Sequence, residues 1–284
     1  MKLMPPRIAI PMPHSTDPDY AERAIPQYER AVQLAGGEPV RIPLNQTPAE
    51  IKKIIANCDA VLLPGSKADV DPASYKVPRS PHTAEADTLR TTADELLLQD
   101  AYSQRKPIFG ICYGLQSLNV FRGGSLIQHI PDFLPENLRT RVNHEAGGKV
   151  AVAHTAEIET NSKLAEIIAD SAHPSDESRS SDQREGHGFS RADSAAKRNQ
   201  ALALEANGLT IPVNSSHHQS AATLGQGLRQ VALCPGDGIV EALEGTAPDH
   251  FVIAVQWHPE RSFDHDEPSR ALFRAFIDAA AHSS

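Results

Sequence analysis

The ten residues from Pro107 to Gln116, PIFGICYGLQ, constrain the fold of this chain more than any other stretch. They place Cys112 at the junction between an apolar run, typical of a buried strand, and a segment with helical periodicity. A sharp strand-to-helix turn pushes its central side chain out of the backbone, and it requires small residues two positions before and after. Gly110 and Gly114 occupy those positions. The stretch therefore predicts that Cys112 lies on a tight turn between a strand and a helix.

Two interpretations of Cys112 are open at this point. As a nucleophile, it would face the free backbone N–H groups and the positive dipole end of the following helix, which favour the thiolate. As a structural residue, it would be a small buried side chain, which is a common role of free cysteine. The ten residues alone do not decide between them.

A second stretch, Phe251 to Glu260 (FVIAVQWHPE), ends an apolar strand-like run with His258 and Glu260. A thiol nucleophile needs a base to take and return its proton, and the base needs a third group to orient its ring. A surface histidine beside a surface glutamate is the ordinary interpretation of such a pair in isolation. Together with Cys112, the pair predicts a catalytic triad.

The segment Ala60 to Ser66, AVLLPGS, predicts a short buried strand that breaks at Pro64 and Gly65. An ordinary Pro-Gly turn is the simplest interpretation. If the turn leaves the Gly65 N–H unpaired, that group and the N–H of Tyr113 would form an oxyanion site for a tetrahedral intermediate.

These motifs resemble those of the class I glutamine amidotransferase-like proteins, and within them the peptidase C26 group with the gamma-glutamyl-gamma-aminobutyrate hydrolases. The likeness covers nearly the whole chain in order, including residues 62–75, 110–130, 213–219, 240–244 and 255–260. It implies triad roles for Cys112, His258 and Glu260, and oxyanion roles for Gly65 and Tyr113. It also implies a substrate pocket lined by Gln116, Asn214, Ser215, His217 and Gln219.

The resemblance implies hydrolysis of a gamma-glutamyl amide through a gamma-glutamyl thioester, with no cofactor. Three possibilities are open: a self-contained hydrolase, a glutaminase subunit that passes ammonia to a synthase partner, and a non-catalytic binding relative. The sequence shows no synthase domain, which favours the first, and the intact triad argues against the third.

Net charge and composition restrict the classes of partner and the cellular setting that this chain can have. The formal net charge of −9 argues against a nucleic-acid or anionic-membrane partner. Three cysteines are not a disulfide framework. The sequence also contains no run of about 18 apolar residues, which a membrane-spanning helix would need. We therefore expect a cytoplasmic protein. The resemblance implies a small gamma-glutamyl amide as its partner, and a homodimer is left open.

Histidine is abundant, with 13 residues, and the adjacent His217 and His218 raise the question of a metal site. Neighbouring residues on a strand face opposite sides, so both rings would not easily reach one ion. The chain also lacks an H-x-x-x-H helix or a C-x-x-C pair to complete such a site. We therefore expect no metal site.

Apolar strand-like runs alternate with segments of helical period, which predicts an α/β fold with a parallel sheet covered on both faces. The resemblance implies that this fold is a three-layer αβα sandwich with a mostly parallel, flavodoxin-like central sheet. A single domain is expected over residues 1–284. Strands are predicted at 7–12, 38–43, 60–63, 149–153, 200–204, 228–234, 239–244 and 251–256, and helices at 19–35, 48–57, 85–104 and 267–281. Residues 171–199, dominated by serine and charged side chains, predict a disordered insertion.

Overall fold

The computed structural model describes residues 4–171 and 208–282. Its strands are β1 Arg7–Pro11, β2 Glu38–Ile42, β3 Ala60–Leu63, β4 Ile108–Ile111, β5 Leu126–Ile127, β6 His154–Ile158, β7 Leu209–Val213, β8 Ser220–Ala221, β9 Leu228–Leu233, β10 Val240–Gly245 and β11 Val252–Val255. Its α-helices are α1 Pro18–Leu34, α2 Pro48–Ile55, α3 Thr88–Gln104, α4 Tyr113–Phe121, α5 Ile130–Phe133, α6 Lys163–Ser171, α7 Pro259–Ser262 and α8 Glu267–His282.

Nine strands form one sheet in the order β2-β1-β3-β4-β11-β10-β9-β6-β7. The block from β2 to β11 is parallel throughout. From β11 onward every pairing is antiparallel, and β5 pairs with β8 in a separate two-stranded sheet. The predicted strand-to-helix turn at Cys112, called the elbow below, follows β4, which lies inside this block between β3 and β11.

Helices cover both faces of the sheet. Along β3, Ala60 and Leu62 point into one apolar core with residues of α1, α6 and α8. Val61 and Leu63 point into a second core with residues of α2, α3 and α4. Alternate side chains of a buried strand thus fill two layers, as expected for strands buried on both faces. The predicted α/β sandwich is confirmed.

Local sequence signals explain several element boundaries. At the start of α2, the Thr47 side chain accepts a hydrogen bond from the Glu50 N–H, and the Glu50 carboxylate accepts one from the Thr47 N–H. This capping box, with Pro48 at the first helical position, satisfies backbone donors that the helix cannot. Helix α3 begins at Thr88, after Asp87 as its cap, and not at residue 85 as predicted.

The antiparallel half of the sheet was predicted less well. The strand predicted at 149–153 is wrong: this segment is a loop, and the strand begins at His154, where pairing with Val213 of β7 starts. Strand β7 was not predicted, and its Pro212 is tolerated because β7 lies at the edge of the sheet. Helix α6 was also missed.

Some predictions fall on residues that the structure does not describe. The predicted strand at 200–204 lies outside the described residues. So does the predicted insertion at 171–199, except Ser171, which ends α6 with its hydroxyl donating to the Ile168 carbonyl. Both stay predictions from sequence.

The carboxyl ends of β3, β4 and β11 lie side by side, because β4 pairs in parallel with both of its neighbours. Chain segments that leave adjacent parallel strands at their carboxyl ends meet at one edge of the sheet. Gly65, Cys112 and His258 follow these three strands closely. The topology therefore brings the three predicted motifs together.

Candidate active site

Cys112 lies between β4 and α4 in a strained backbone conformation, with φ 54° and ψ −105°. Positive φ is unfavourable for a residue with a side chain, and it persists only where surrounding structure enforces it. At Gly110 and Gly114, which flank Cys112, the backbone packs closely enough to enforce this conformation. A Cβ on Gly114 would lie 2.2 Å from the Leu63 carbonyl oxygen, and one on Gly110 would lie 3.0 Å from Gly114 backbone atoms. Only glycine allows this close crossing of strand and helix.

His258 and Glu260 form a buried pair next to Cys112. The His258 Nδ1 lies 2.8 Å from Glu260 Oε1, which fixes the ring and leaves Nε2 for another group. A Cβ built on Gly65 would lie 3.1 Å from His258 Cε1 and 3.7 Å from Cys112 Cβ. The predicted nucleophile, base and orienting carboxylate, and the turn of the predicted oxyanion site, therefore surround one point.

The charges of this site set the protonation of His258. Burial by itself would lower its pKa, but the negative charge of Glu260 and the interaction with Cys112 outweigh burial and raise the pKa to about 9. Burial would raise the pKa of Glu260, but the His258 imidazolium and the hydrogen bond to it hold that pKa below its usual value. At neutral pH the arrangement is a carboxylate beside a protonated imidazole.

The Asn214 side chain forms hydrogen bonds with both the N–H and the carbonyl of His258. Its Nδ2 donates to the His258 carbonyl at 2.8 Å, and its Oδ1 accepts from the His258 N–H at 2.9 Å. The side chain was predicted to line the substrate pocket, but these bonds make it a positioning group. Ser215 also has a backbone partner, since its Oγ donates to the His144 carbonyl at 2.7 Å.

The oxyanion turn has partners that sequence reasoning missed. The Gly65 N–H, expected to be unpaired, donates to the Tyr28 hydroxyl at 3.1 Å. The wholly buried Arg90 donates to the Pro64 carbonyl at 2.7 Å, and this hydrogen bond holds the turn in place. The Arg90 guanidinium also forms an ion pair with Asp94 at 2.7 Å. The Tyr113 N–H is the first of α4, and the first N–H groups of a helix have no acceptor within it.

A cleft of about 280 Å³ opens onto Cys112 and His258. Three of the predicted pocket residues line it: Gln116, His217 and Gln219. Its charged lining, which the sequence analysis did not identify, consists of Lys67, Asp69, His218 and Arg261. The Gln116 amide donates to the Gln219 carbonyl at 3.1 Å. This hydrogen bond connects the cleft wall at Gln219 to α4.

Within the described part of the chain, potential metal ligands gather in three places, and none of these groups includes Cys112, His258 or Glu260.

The model of the peptidase C26 family matches residues 8–180 and 171–260 of this sequence. The chain belongs to this family. The match spans the elbow, the turn at Gly65 and the His258–Glu260 pair.

Relatives and a solved structure agree with this placement. The Mycobacterium tuberculosis protein "Putative glutamine amidotransferase Rv2859c" is 31% identical over 89% of this chain, which spans 66% of that relative's length. The Escherichia coli K12 "Gamma-glutamyl-gamma-aminobutyrate hydrolase PuuD" is 29% identical over 90% of this chain and 85% of its own length. A chain of the PurLQS structure from Thermotoga maritima superposes with a TM-score of 0.52 at 16% identity, covering 97% of this chain and 99% of that one. The structural likeness shows the fold alone.

The family and these names support a glutamine amidotransferase-like hydrolase. Among the helices in residues 4–171 and 208–282, none has both the length and the apolar character needed to cross a bilayer.

Proposed function

We propose that this protein is a cysteine-dependent hydrolase of gamma-glutamyl amides, with gamma-glutamyl-gamma-aminobutyrate or a related gamma-glutamyl amine as its substrate. The observation that carries the proposal is the buried arrangement of Cys112 on a strained elbow beside the hydrogen-bonded His258–Glu260 pair. A nucleophile, a base within reach of it and a group that orients the base are the parts that covalent amide hydrolysis requires.

In the first half of the reaction the Cys112 thiolate attacks the gamma-carbonyl carbon. The carbonyl oxygen takes up the electron pair and is stabilised by the N–H groups of Tyr113 and Gly65. In the structure the Gly65 N–H donates to the Tyr28 hydroxyl. The substrate oxygen must therefore replace the Tyr28 hydroxyl as the acceptor of this hydrogen bond. His258, which holds a proton at neutral pH, donates it to the amine nitrogen as the C–N bond breaks. A gamma-glutamyl thioester and the free amine result.

In the second half, water replaces the amine. The now neutral His258 takes a proton from water as its oxygen attacks the thioester carbon. Collapse of the intermediate breaks the C–S bond, releases glutamate and restores the thiolate beside the imidazolium. The same two groups thus serve both halves of the cycle.

The charges lining the cleft suit the proposed substrate. Gamma-glutamyl-gamma-aminobutyrate carries two carboxylates and one ammonium group. The cleft offers two cationic side chains, Lys67 and Arg261, and the carboxylate of Asp69. Lys67 is paired with Asp17 at 2.9 Å near the surface, whereas Asp69 is buried and accepts hydrogen bonds from the Ala84 N–H and from His218. The name of the Escherichia coli relative supports the same substrate class.

The experiment that tests the proposal is product analysis by mass spectrometry with purified protein and gamma-glutamyl-gamma-aminobutyrate. We expect glutamate and gamma-aminobutyrate from the unmodified protein, and no turnover from Cys112→Ala. Cys58→Ala and Cys234→Ala are the matched controls and should retain turnover, because burial raises the pKa of these thiols to about 11 and about 12. Substantial activity of Cys112→Ala would exclude Cys112 as the nucleophile.

The second candidate is a glutaminase subunit that delivers ammonia to a synthase, which the name of the Mycobacterium tuberculosis relative favours. It uses the same triad chemistry with ammonia as the leaving group. The two candidates differ in the leaving group that the cleft accepts, so a comparison of kcat/KM for gamma-glutamyl-gamma-aminobutyrate and for glutamine separates them.

A further inference from the structure

Three histidines and one glutamate meet in the interior of the antiparallel half of the molecule. They come from four separate segments: His144 from the loop after α5, His154 from the start of β6, His217 from the loop after β7, and Glu241 from β10. None of the four side chains exposes more than 5% of its surface. The reaction proposed above uses none of them as an acid, base or nucleophile.

The spacing of their polar atoms is that of metal ligands. Glu241 Oε1 lies 3.5 Å from His144 Nδ1, 3.4 Å from His154 Nε2 and 3.8 Å from His217 Nε2. These distances exceed the range of about 2.7–3.2 Å for an N–H···O hydrogen bond. A tetrahedral ion with bonds of about 2.0–2.1 Å holds its ligand atoms about 3.3–3.4 Å apart. One ligand atom from each of the four residues can be chosen so that all lie within 4.8 Å of one another.

The inward-facing atoms have no other partner among the described residues. Both carboxylate oxygens of Glu241, and the inner ring nitrogens of all three histidines, are buried without a hydrogen bond. Leaving one buried polar group unsatisfied costs about 1–3 kcal/mol, so a cluster of such groups is retained only if something compensates it. A single cation at their centre would satisfy all three nitrogens and the carboxylate.

The outer ring nitrogens are held in the way that metal-binding histidines are held. His144 Nε2 lies 2.9 Å from Asp237 Oδ2, and His217 Nδ1 lies 2.9 Å from the Gln219 carbonyl oxygen. His154 Nδ1 lies 3.2 Å from the Thr155 carbonyl oxygen. Each outer nitrogen therefore donates its proton to an oxygen, and the inner nitrogen keeps a free lone pair aimed at the cluster.

We propose that His144, His154, His217 and Glu241 form a buried site for one divalent transition-metal ion, and that Zn²⁺ is the ion it fits best. Three imidazole nitrogens and a carboxylate are ordinary zinc ligands, and four protein ligands around an ion leave no open position for substrate or water. The site is therefore structural and not catalytic.

The ion would join the antiparallel half of the sheet to the active-site cleft. His217 and Gln219 line the cleft, and the segment that carries them is already tied to His144, whose carbonyl accepts from the His217 N–H at 2.9 Å. A metal linking His217 to β6 and β10 would fix this wall against the rest of the sheet. The sequence predicted no metal site because motifs with closely spaced ligands, such as H-x-x-x-H or C-x-x-C, are missing. The ligands of the proposed site instead come from distant parts of the chain.

The test begins with metal analysis of the full chain, produced without a histidine tag and purified without chelators. We expect about one zinc per chain by plasma mass spectrometry. Removing it with a chelator should lower the Tm by about 5 °C if the zinc had been about a hundredfold above its Kd. Cobalt added to the metal-free chain should produce the intense visible absorption of tetrahedral Co²⁺.

Variants locate the ion. Glu241→Gln and His154→Ala should each lose at least about tenfold in zinc affinity, and their Tm should respond little to the chelator. The control is His82→Ala, from the more exposed group His82, His129 and Asp132, which should keep both the zinc and the chelator response.

Three results would overturn the inference. One is unmodified protein that carries no zinc and, once metal-free, binds neither zinc nor cobalt; the cluster would then hold internal water. The others are full zinc affinity in folded Glu241→Gln, and loss of zinc in His82→Ala. Metal content does not depend on turnover, so this inference stands or fails separately from the proposed hydrolysis.

Discussion

At the scale of single residues, the electrostatic balance around His258 has the most direct consequence for activity. Burial and the positive charge of Arg261 would lower its pKa, but Glu260 and Cys112 outweigh them and raise the pKa to about 9. A group with a raised pKa is protonated below that value and loses its proton as the pH rises through it. Since the leaving amine needs this proton, activity should be retained at neutral pH and lost on the alkaline side.

We therefore expect kcat/KM for gamma-glutamyl-gamma-aminobutyrate to fall as the pH rises through about 9. In Glu260→Gln the carboxylate no longer supports the imidazolium, so the alkaline limit should move down by about one to three pH units. The maximal rate should also fall by about a hundredfold or more, because the ring loses its orienting acceptor. The measurement is a pH profile of both proteins, with Glu159→Gln, a surface carboxylate, as the control. An unmoved alkaline limit in Glu260→Gln would contradict the assigned role of Glu260.

Several residues at this scale could be predicted from sequence, and others could not. Cys112, His258 and Glu260 lie in short motifs in which neighbouring residues reveal the backbone geometry. The two-sided contact of Asn214 with the His258 backbone joins residues 44 positions apart, and no local pattern signals it. The same applies to the bond between Tyr28 and Gly65, which are 37 positions apart.

At the scale of elements, the crossing of α4 over the end of β3 holds the elbow in its strained conformation. The contact is backbone against backbone at Gly114, where an added Cβ would meet the Leu63 carbonyl oxygen. Helix and strand cannot separate without moving Cys112 away from His258. The elbow is thus a property of two packed elements and not of the turn alone.

Gly114→Ala tests this crossing. We expect a loss of about 1–3 kcal/mol in the free energy of unfolding, from overpacking, and a loss of most activity. The control is Gly148→Ala, where the nearest atom to a new Cβ is Arg261 Nη1 at 3.4 Å, and little change is expected there. Urea unfolding followed by circular dichroism, with kinetics on the same samples, gives both quantities. Equal behaviour of the two variants would mean that the close approach at Gly114 has no energetic consequence.

At the scale of the whole molecule, the question is whether the chain works alone on an amine larger than ammonia. The cleft of about 280 Å³ has Lys67 and Arg261 in its lining, enough positive charge for the second carboxylate of gamma-glutamyl-gamma-aminobutyrate, which glutamine lacks. Leaving-group contacts of one or two methylenes shift specificity by about 10- to 200-fold.

We expect kcat/KM for gamma-glutamyl-gamma-aminobutyrate to exceed that for glutamine by at least about tenfold, with the isolated protein at one pH. The preference should shrink in Lys67→Ala, because that variant removes a positive charge from the cleft and leaves the triad intact. Equal values for the two substrates, or activity that appears only after a synthase partner is added, would favour the glutaminase subunit instead.

The α/β class, the elbow and the residues proposed as a triad can be predicted from sequence, because they depend on local backbone rules: glycine where chains cross closely, apolar runs for buried strands, and motifs at strand ends. How distant segments meet is visible only in the folded chain. There β6 pairs with β7 at the sheet edge, the side chains of Asn214 and Ser215 hydrogen-bond to the backbone of His258 and His144, and three histidines from distant segments gather around Glu241. These contacts follow from the order of strands in the sheet, which long-range packing fixes and no short stretch of sequence records.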